Sequence, residues 1–198
     1  MNTMKRLWIF IIALVVLIVF WAGASYNGLI KKDQGVKSKW SAVEGQYQRR
    51  ADLIPNLVST VKGAANFEQE TLQQVVEARA KATAITISAD QLTPENIAKY
   101  QNAQTELSGA LGRLLAVAES YPQLQAVQAF RDLQVQLEGT ENRIAVARKD
   151  FTDAVQVYNT AIHTFPRNIL AGIFGFSEKG YFTADAGSDK APQVDFTK

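Results

Sequence analysis

Large apolar residues recur at every seventh position from Phe130: Phe130, Leu137, Ile144, Phe151, Tyr158 and Phe165. Leu133, Thr140, Ala147, Val155 and Ile162 fill a second row between them. Alternating steps of three and four sustained from Leu124 to Phe165 predict one helix with a continuous apolar seam, roughly 60 Å long at 1.5 Å per residue. Gly139 is its one weak helix former of note. A helix of that length needs partners of similar length to cover its seam.

The same pattern appears earlier in the chain. Trp40, Tyr47, Ile54 and Val61 repeat at seven, and Val36, Val43, Arg50 and Leu57 form the companion row, with Arg50 its single charged member. This predicts a long helix from about Tyr26, bent at Pro55, because proline removes a backbone donor while the apolar row continues in phase to Val61. Gly63 and Ala64-Ala65-Asn66 mark its end. A shorter helix is predicted over 68–84, with Glu68 and Glu70 in its first turn, Leu72, Val75, Val76 and Arg79 facing inward, and Glu77 set to pair with Lys81. Ile85 to Leu92 reads as a connection. Thr93-Pro94-Glu95 is a helix start, and Tyr100, Ala103, Leu107, Ala110, Leu114, Val117 and Tyr121 form the next seam, closed by Pro122. Gln123 or Leu124 then opens the last helix. With short connections between them, the four helices are expected to run up and down as an elongated antiparallel bundle. The fold class is all-α.

Ahead of that bundle, Leu7 to Ala24 is eighteen residues without a charge, preceded by Lys5 and Arg6. The run is near the lower limit for a membrane span and longer than the usual apolar core of a signal peptide. Trp8 and Trp21 stand near its ends, where interfacial rings belong. It reads as an uncleaved signal-anchor; the small residues Ala22-Gly23-Ala24 make a cleaved signal the alternative. Lys31, Lys32, Lys37 and Lys39, offset by Asp33, leave the positive-inside count ambiguous. The short tail with two adjacent cations favours a cytoplasmic N-terminus and a domain outside the cytoplasm. The expected organisation is a cytoplasmic tail at 1–6, a span at 7–24, an extracytoplasmic bundle at 25–166, an aromatic segment at 167–183 and a disordered tail at 184–198. If the helices alternate, the last one returns to the bilayer. Ile169, Leu170, Ile173, Phe174, Phe176, Tyr181 and Phe182 are then candidates for contact with the membrane surface, or for capping the bundle or meeting a second subunit.

Composition narrows the chemistry. The 198 residues contain no Cys, so disulfides and thiolate chemistry are excluded. Of 21 basic side chains two precede the apolar run, which leaves 19 against 19 acidic ones. A balanced domain lacks the electrostatic footprint of a nucleic-acid binder. His163 stands alone, and Thr160 occupies the place where a Glu-x-x-His metal pair would need its carboxylate. No Gly-rich phosphate loop or nucleophile elbow is present. These absences lead to the expectation of a non-enzyme without cofactor or metal. The polar feature that stands out is Arg49, Arg50 and Asp52. A structural ion-pair network is one reading, and a docking site for an acidic partner or lipid headgroup is the other. Counting equal distances from the two ends of the long helices reaches Glu141 or nearby Glu138 from Arg50, and Arg50 is expected to meet Glu141.

These residues carry a resemblance. Tyr26-Asn27-Gly28-Leu29, Gln48-Arg49-Arg50-Ala51-Asp52-Leu53-Ile54-Pro55-Asn56-Leu57-Val58, Val61-Lys62-Gly63, Glu77-Ala78-Arg79, Tyr121-Pro122, Glu141-Asn142-Arg143-Ile144-Ala145-Val146-Ala147-Arg148, Tyr158-Asn159 and Phe174-Gly175-Phe176 resemble the LemA family, from the anchor to about Phe182. Phe151-Thr152 and Gly63-Ala64-Ala65 depart from its usual Tyr-Asn and Gly-Tyr-Ala. The resemblance implies a bacterial protein with one N-terminal span and an elongated helical bundle outside the cytoplasm. It implies little about biochemical role. The expected function is therefore a membrane-anchored scaffold of the envelope that self-assembles or docks other envelope proteins. An envelope sensor or adaptor is the alternative, weakened by an N-terminal tail too short to hold an output module.

Overall fold

The computed structural model describes residues 2–63 and 67–183. Every regular element among them is helical: α1 (Asn2–Lys62), α2 (Gln69–Ala84), α3 (Pro94–Ala118), α4 (Pro122–Gln125), α5 (Gln128–His163) and α6 (Arg167–Ile173). The expected disordered tail at 184–198 lies outside the described residues.

The apolar run and the first bundle helix are one element. At 61 residues α1 is about 90 Å long. Two glycines, Gly23 and Gly28, lie near the junction, and each costs only about 1 kcal/mol relative to alanine. No proline falls there, so nothing stops the helix. It also runs through Pro55. Proline leaves the carbonyl four residues back without its usual donor, and Arg79 of α2 supplies one: its Nε donates to the Ala51 carbonyl at 2.8 Å.

The other boundaries moved where local chemistry overrode periodicity. The stretch expected as one helix from Leu124 to Phe165 is broken. Val127 is extended (φ −77°, ψ 117°) between α4 and α5, and Arg131 donates to the Gln125 carbonyl and to the Gln128 side chain, both at 2.5 Å. The break lets Leu124 turn into the core while Val127 faces out. At the other end α5 stops at His163, and Phe165, the last member of the seven-residue row, is exposed. In α2, Val76 faces solvent, and Ala78 and Ala82 are buried with Leu72 and Val75. Small residues hold that face because α3 packs closely on it. Lys81 pairs with Glu106 of α3 at 2.7 Å, in place of the expected partner Glu77.

Cross-helix pairs fix the directions. Arg50 meets Glu141, Arg143 meets Gln46, and Lys39 meets Asp150, so α1 and α5 run antiparallel. Lys81–Glu106 and the Phe67–Tyr121 ring pair make α2 and α3 antiparallel too. The core falls into two parts. The distal core gathers Ile54 to Val61 of α1, the inner faces of α2 and α3, Leu124, and Phe130 to Leu137 of α5. The proximal core holds Leu29 to Tyr47 of α1, Ile144 to Ile162 of α5, and the start of α3. Ile87, Leu92, Ala171 and Phe182 complete it, all four from outside the four longer helices. Because α2 is short, its place in the lower half is taken by the 85–92 connection and by the chain after α6.

Candidate functional site

Arg50 is drawn into the interior by the seam register of α1, and only 1% of it is exposed. Its Nη1 donates to Ser108 Oγ at 2.5 Å and to Glu141 Oε1 at 2.7 Å. Its Nη2 donates to the Gln104 carbonyl at 3.1 Å and to Gln104 Oε1 at 2.6 Å. The guanidinium also lies 5.0 Å from the centre of the Tyr47 ring. One planar group thus ties α1 to both α3 and α5, a task suited to the fixed fork of arginine donors. Only Nε lacks a partner. The neighbours do not join this cluster. Arg49 and Asp52 are exposed, and Asp52 accepts from Gln48 at 2.8 Å. About 40 Å of helix separates Arg50 from Ala24, which argues against lipid headgroups as its partners. The arrangement fixes the register of three helices.

A second concentration of interactions lies where the domain meets the apolar run. Trp40 is fully buried, packed at 5.2 Å on Tyr100, 5.4 Å on Phe151 and 6.2 Å on Phe182, and donates through Nε1 to the Ile87 carbonyl at 3.3 Å. Phe182 also lies 5.5 Å from Phe151 and takes the Arg148 guanidinium over its ring at 4.9 Å. Phe182 is therefore a core residue, packed inside the domain instead of on the outer surface expected for it. Leu170 and Phe176 are half-buried; Ile169, Ile173, Phe174 and Tyr181 are exposed. Tyr26 packs on Phe174 at 4.8 Å and on Phe176 at 5.9 Å.

The segment from Phe176 to Thr183 is pinned as a strap across the proximal core. Tyr158 donates its hydroxyl to the Ser177 carbonyl at 3.0 Å. Asn159 exchanges two bonds with the Lys179 backbone at 2.9 and 3.0 Å. The Gly180 N–H donates to the Leu92 carbonyl at 2.9 Å, and Gln101 exchanges two bonds with the Thr183 backbone at 2.8 and 3.0 Å. A Cβ on Gly180 would fall 2.6 Å from Pro94 Cα, so only glycine fits this approach. Asp33 joins Lys179 at 2.8 Å and Lys37 at 3.1 Å, and Lys37 reaches Asp90 at 2.5 Å. Hydrogen bonds to Asp90 and Asp33 raise Lys37 above the usual lysine value, and Lys37 holds Asp90 below the usual carboxylate range. Burial pushes Tyr158 up to about 12, and burial raises Glu44. This network was missed from sequence because, Tyr158 apart, its members fall on no periodic seam.

His163 ends α5 on an exposed turn, with Nδ1 2.8 Å from the Asn159 carbonyl. Among the described residues no group of three or more His, Asp or Glu side chains is gathered as a metal site would require. The first third of α1 includes a window long and apolar enough to cross a membrane, and none of that window is buried against the rest of the chain.

An unburied apolar helix running without a break into a packed helical domain defines a class, that of single-pass membrane-associated helical proteins. The family model of the LemA family matches residues 39–196, and the chain belongs to that family. Over 181 residues it is 30% identical to magnetosome proteins MamQ 1 and MamQ 2 of Paramagnetospirillum magneticum, covering 83% of this chain and 66% of theirs. It is 29% identical over 189 residues to magnetosome protein MamQ of Magnetospirillum gryphiswaldense, covering 85% and 70%. With Protein LemA of Metamycoplasma hominis it shares 22% identity over 145 residues, covering 73% and 63%. The chain spans about two thirds of the length of these curated relatives.

Proposed function

We propose that this protein is a non-enzymatic, membrane-anchored scaffold of the bacterial envelope. Its N-terminus is cytoplasmic, and its domain is an elongated four-helix bundle outside the cytoplasm that self-assembles or docks other envelope proteins. The observation that carries the reading is the continuity of α1. One uninterrupted helix couples the unburied apolar run to a domain reaching about 55 Å beyond Ala24, so whatever the domain grips is held at a fixed distance from the bilayer. The Arg50 cluster supports it further, because its polar groups are spent on helix register. The outer face of α5 supplies a gripping surface. Val135, Val146 and Val157 are exposed and eleven residues apart, close to three turns each, so they share one stripe.

A sensor or adaptor is the second reading. It is favoured by a cleft of about 270 Å³ between α1, α2 and α3, lined by Glu44, Tyr47, Gln48, Tyr100 and Gln104. The test is the mass of the full-length protein extracted into lipid nanodiscs, measured for the native chain and for Val146→Asp/Val157→Asp. A defined oligomer lost in the double variant is the expected result. A monomer in both removes self-assembly and leaves docking of a different protein on the same stripe.

A further inference from the structure

The exposed side of α6 is apolar. Ile169 and Ile173, four residues apart, are 55% and 70% exposed, and Phe165 and Phe174 flank them at 75% and 54%. The opposite side carries Ala171, which is buried against α1 and α5. The packing that α6 offers its own domain is therefore already made; Phe165, Ile169 and Ile173 face away from it, and Phe174 is half exposed beside Tyr26.

We propose that this face is a second membrane contact: α6 lies in the headgroup–acyl boundary of the same bilayer that α1 crosses, beside the point where α1 emerges. The placement follows from continuity. The uncharged run ends at Ala24, and Tyr26 is two residues, about 3 Å of helix, further on. The Tyr26 ring touches Phe174 at 4.8 Å, so the end of α6 sits level with the end of the span. The headgroup zone is about 5–8 Å deep on each side of the hydrocarbon, and α6 with its 7 residues is only about 10 Å long. The Phe174 end of the helix is thus within reach of that zone, and the whole of α6 is when it lies along the boundary. Its polar surroundings suit the boundary as well. Arg167 opens α6, and Lys31 is exposed about two turns above Ala24, from where both long side chains can meet phosphate groups while the apolar side enters the acyl region. Tyr26 and Phe174 then form an interfacial aromatic pair. Two contacts at one level, from α1 and α6, fix the domain upright where a single span would let it pivot.

The chain has no cysteine, so single-cysteine spin labels report one site each. Full-length Ile169→Cys, Ile173→Cys, Ser59→Cys and Leu14→Cys are labelled and reconstituted in phosphatidylcholine–phosphatidylglycerol vesicles; Ser59 is exposed near the distal end of α1, away from the α5 stripe. Collision rates with oxygen and with a water-soluble nickel chelate are compared. Labels at 169 and 173 are expected to favour oxygen over the chelate by roughly fivefold or more relative to the label at 59, approaching the label at 14. Chelate access at 169 and 173 equal to that at 59, with 14 in lipid, overturns the α6 contact and leaves the anchor intact. Low access to both reagents overturns it in favour of a subunit interface. Chelate access at 14 sinks the anchor reading and this inference together.

Discussion

The two halves of the core solve the same packing problem differently. In the distal half helical faces pack on one another, with Val61, Leu107, Leu114 and Phe130 almost wholly buried and Arg50, its one buried charge among the described residues, at its lower edge. In the proximal half only α1 and α5 continue at full length. The missing face is supplied by a connection and by the strap from Phe176 to Thr183, which have no seam of their own. Regular helices can share a seam by repetition. An irregular segment has to be held by individual bonds to its backbone: Ser177, Lys179 and Thr183 are tied by the side chains of Tyr158, Asn159 and Gln101, and Gly180 by the Leu92 carbonyl. The difference teaches where the fold is redundant: the distal half spreads its stability over many similar apolar contacts, and the proximal half concentrates it in Trp40 and a few pins.

Substitutions at the points of concentration test that contrast, read as urea unfolding of the full chain in detergent micelles by loss of helicity. Trp40→Ala has the largest expected effect, about 3–5 kcal/mol. It removes the ring on which Tyr100, Phe151 and Phe182 converge, and leaves the Ile87 carbonyl without its donor. A loss under about 1 kcal/mol would mean that the strap holds the proximal half without it.

At the boundary between the halves, Glu141→Gln is expected to cost about 2–3 kcal/mol, by stripping the countercharge from a buried guanidinium. The loss falls short of that for a wholly enclosed pair, because the Glu141 side chain is 45% exposed and Arg50 keeps Gln104 and Ser108. Arg50→Met/Glu141→Leu should be less harmful than the sum of its single changes, since both charges leave together. If Glu141→Gln is silent while Arg50→Gln unfolds the domain, the ion pair contributes nothing and the bonds to α3 account for the whole effect.

Gly180→Ala comes next, at about 1–3 kcal/mol. The new methyl group would strike the Pro94 backbone, which cannot move aside as a flexible side chain would. The strap should lift first, so amide exchange should rise at Lys179 and Thr183 before the distal helices loosen.

Legibility from sequence divides along the same line. The seams of α1, α3 and α5 could be read because burial on a helix repeats with its turn, and the rows through Trp40, Tyr47, Ile54, Phe130, Leu137 and Ile144 are buried. The Arg50–Glu141 contact was reachable by counting along two antiparallel helices from a common end, which needs only a constant rise per residue. Arg49 and Asp52 could not be separated from Arg50 by motif, although only Arg50 lies on the seam. The strap was illegible. Gln101, Asn159 and Gly180 bind backbone groups far away in sequence, and no periodicity announces such bonds. The break at Ala126-Val127 was hidden for the same reason, because Arg131 satisfies the Gln125 carbonyl, which a helix pattern assumes is paired internally.

Arg79 provides the smallest effect and the sharpest one to interpret. Pro55 deprives the Ala51 carbonyl of its helical donor, and Arg79 Nε replaces that donor from α2 at 2.8 Å. If this is what Arg79 does, its value depends on proline at 55. Arg79→Met in the native background is expected to cost about 1.5 kcal/mol, the net worth of a hydrogen bond from a charged group. In a Pro55→Ala background the amide at 55 can donate to the Ala51 carbonyl itself, and the same change should cost about 0.5 kcal/mol or less. The difference, about 1 kcal/mol, is a coupling between two side chains that do not bond each other and share one carbonyl. Equal costs in the two backgrounds would assign Arg79 to packing alone, since its aliphatic stem covers the same area of α1 with either residue at 55.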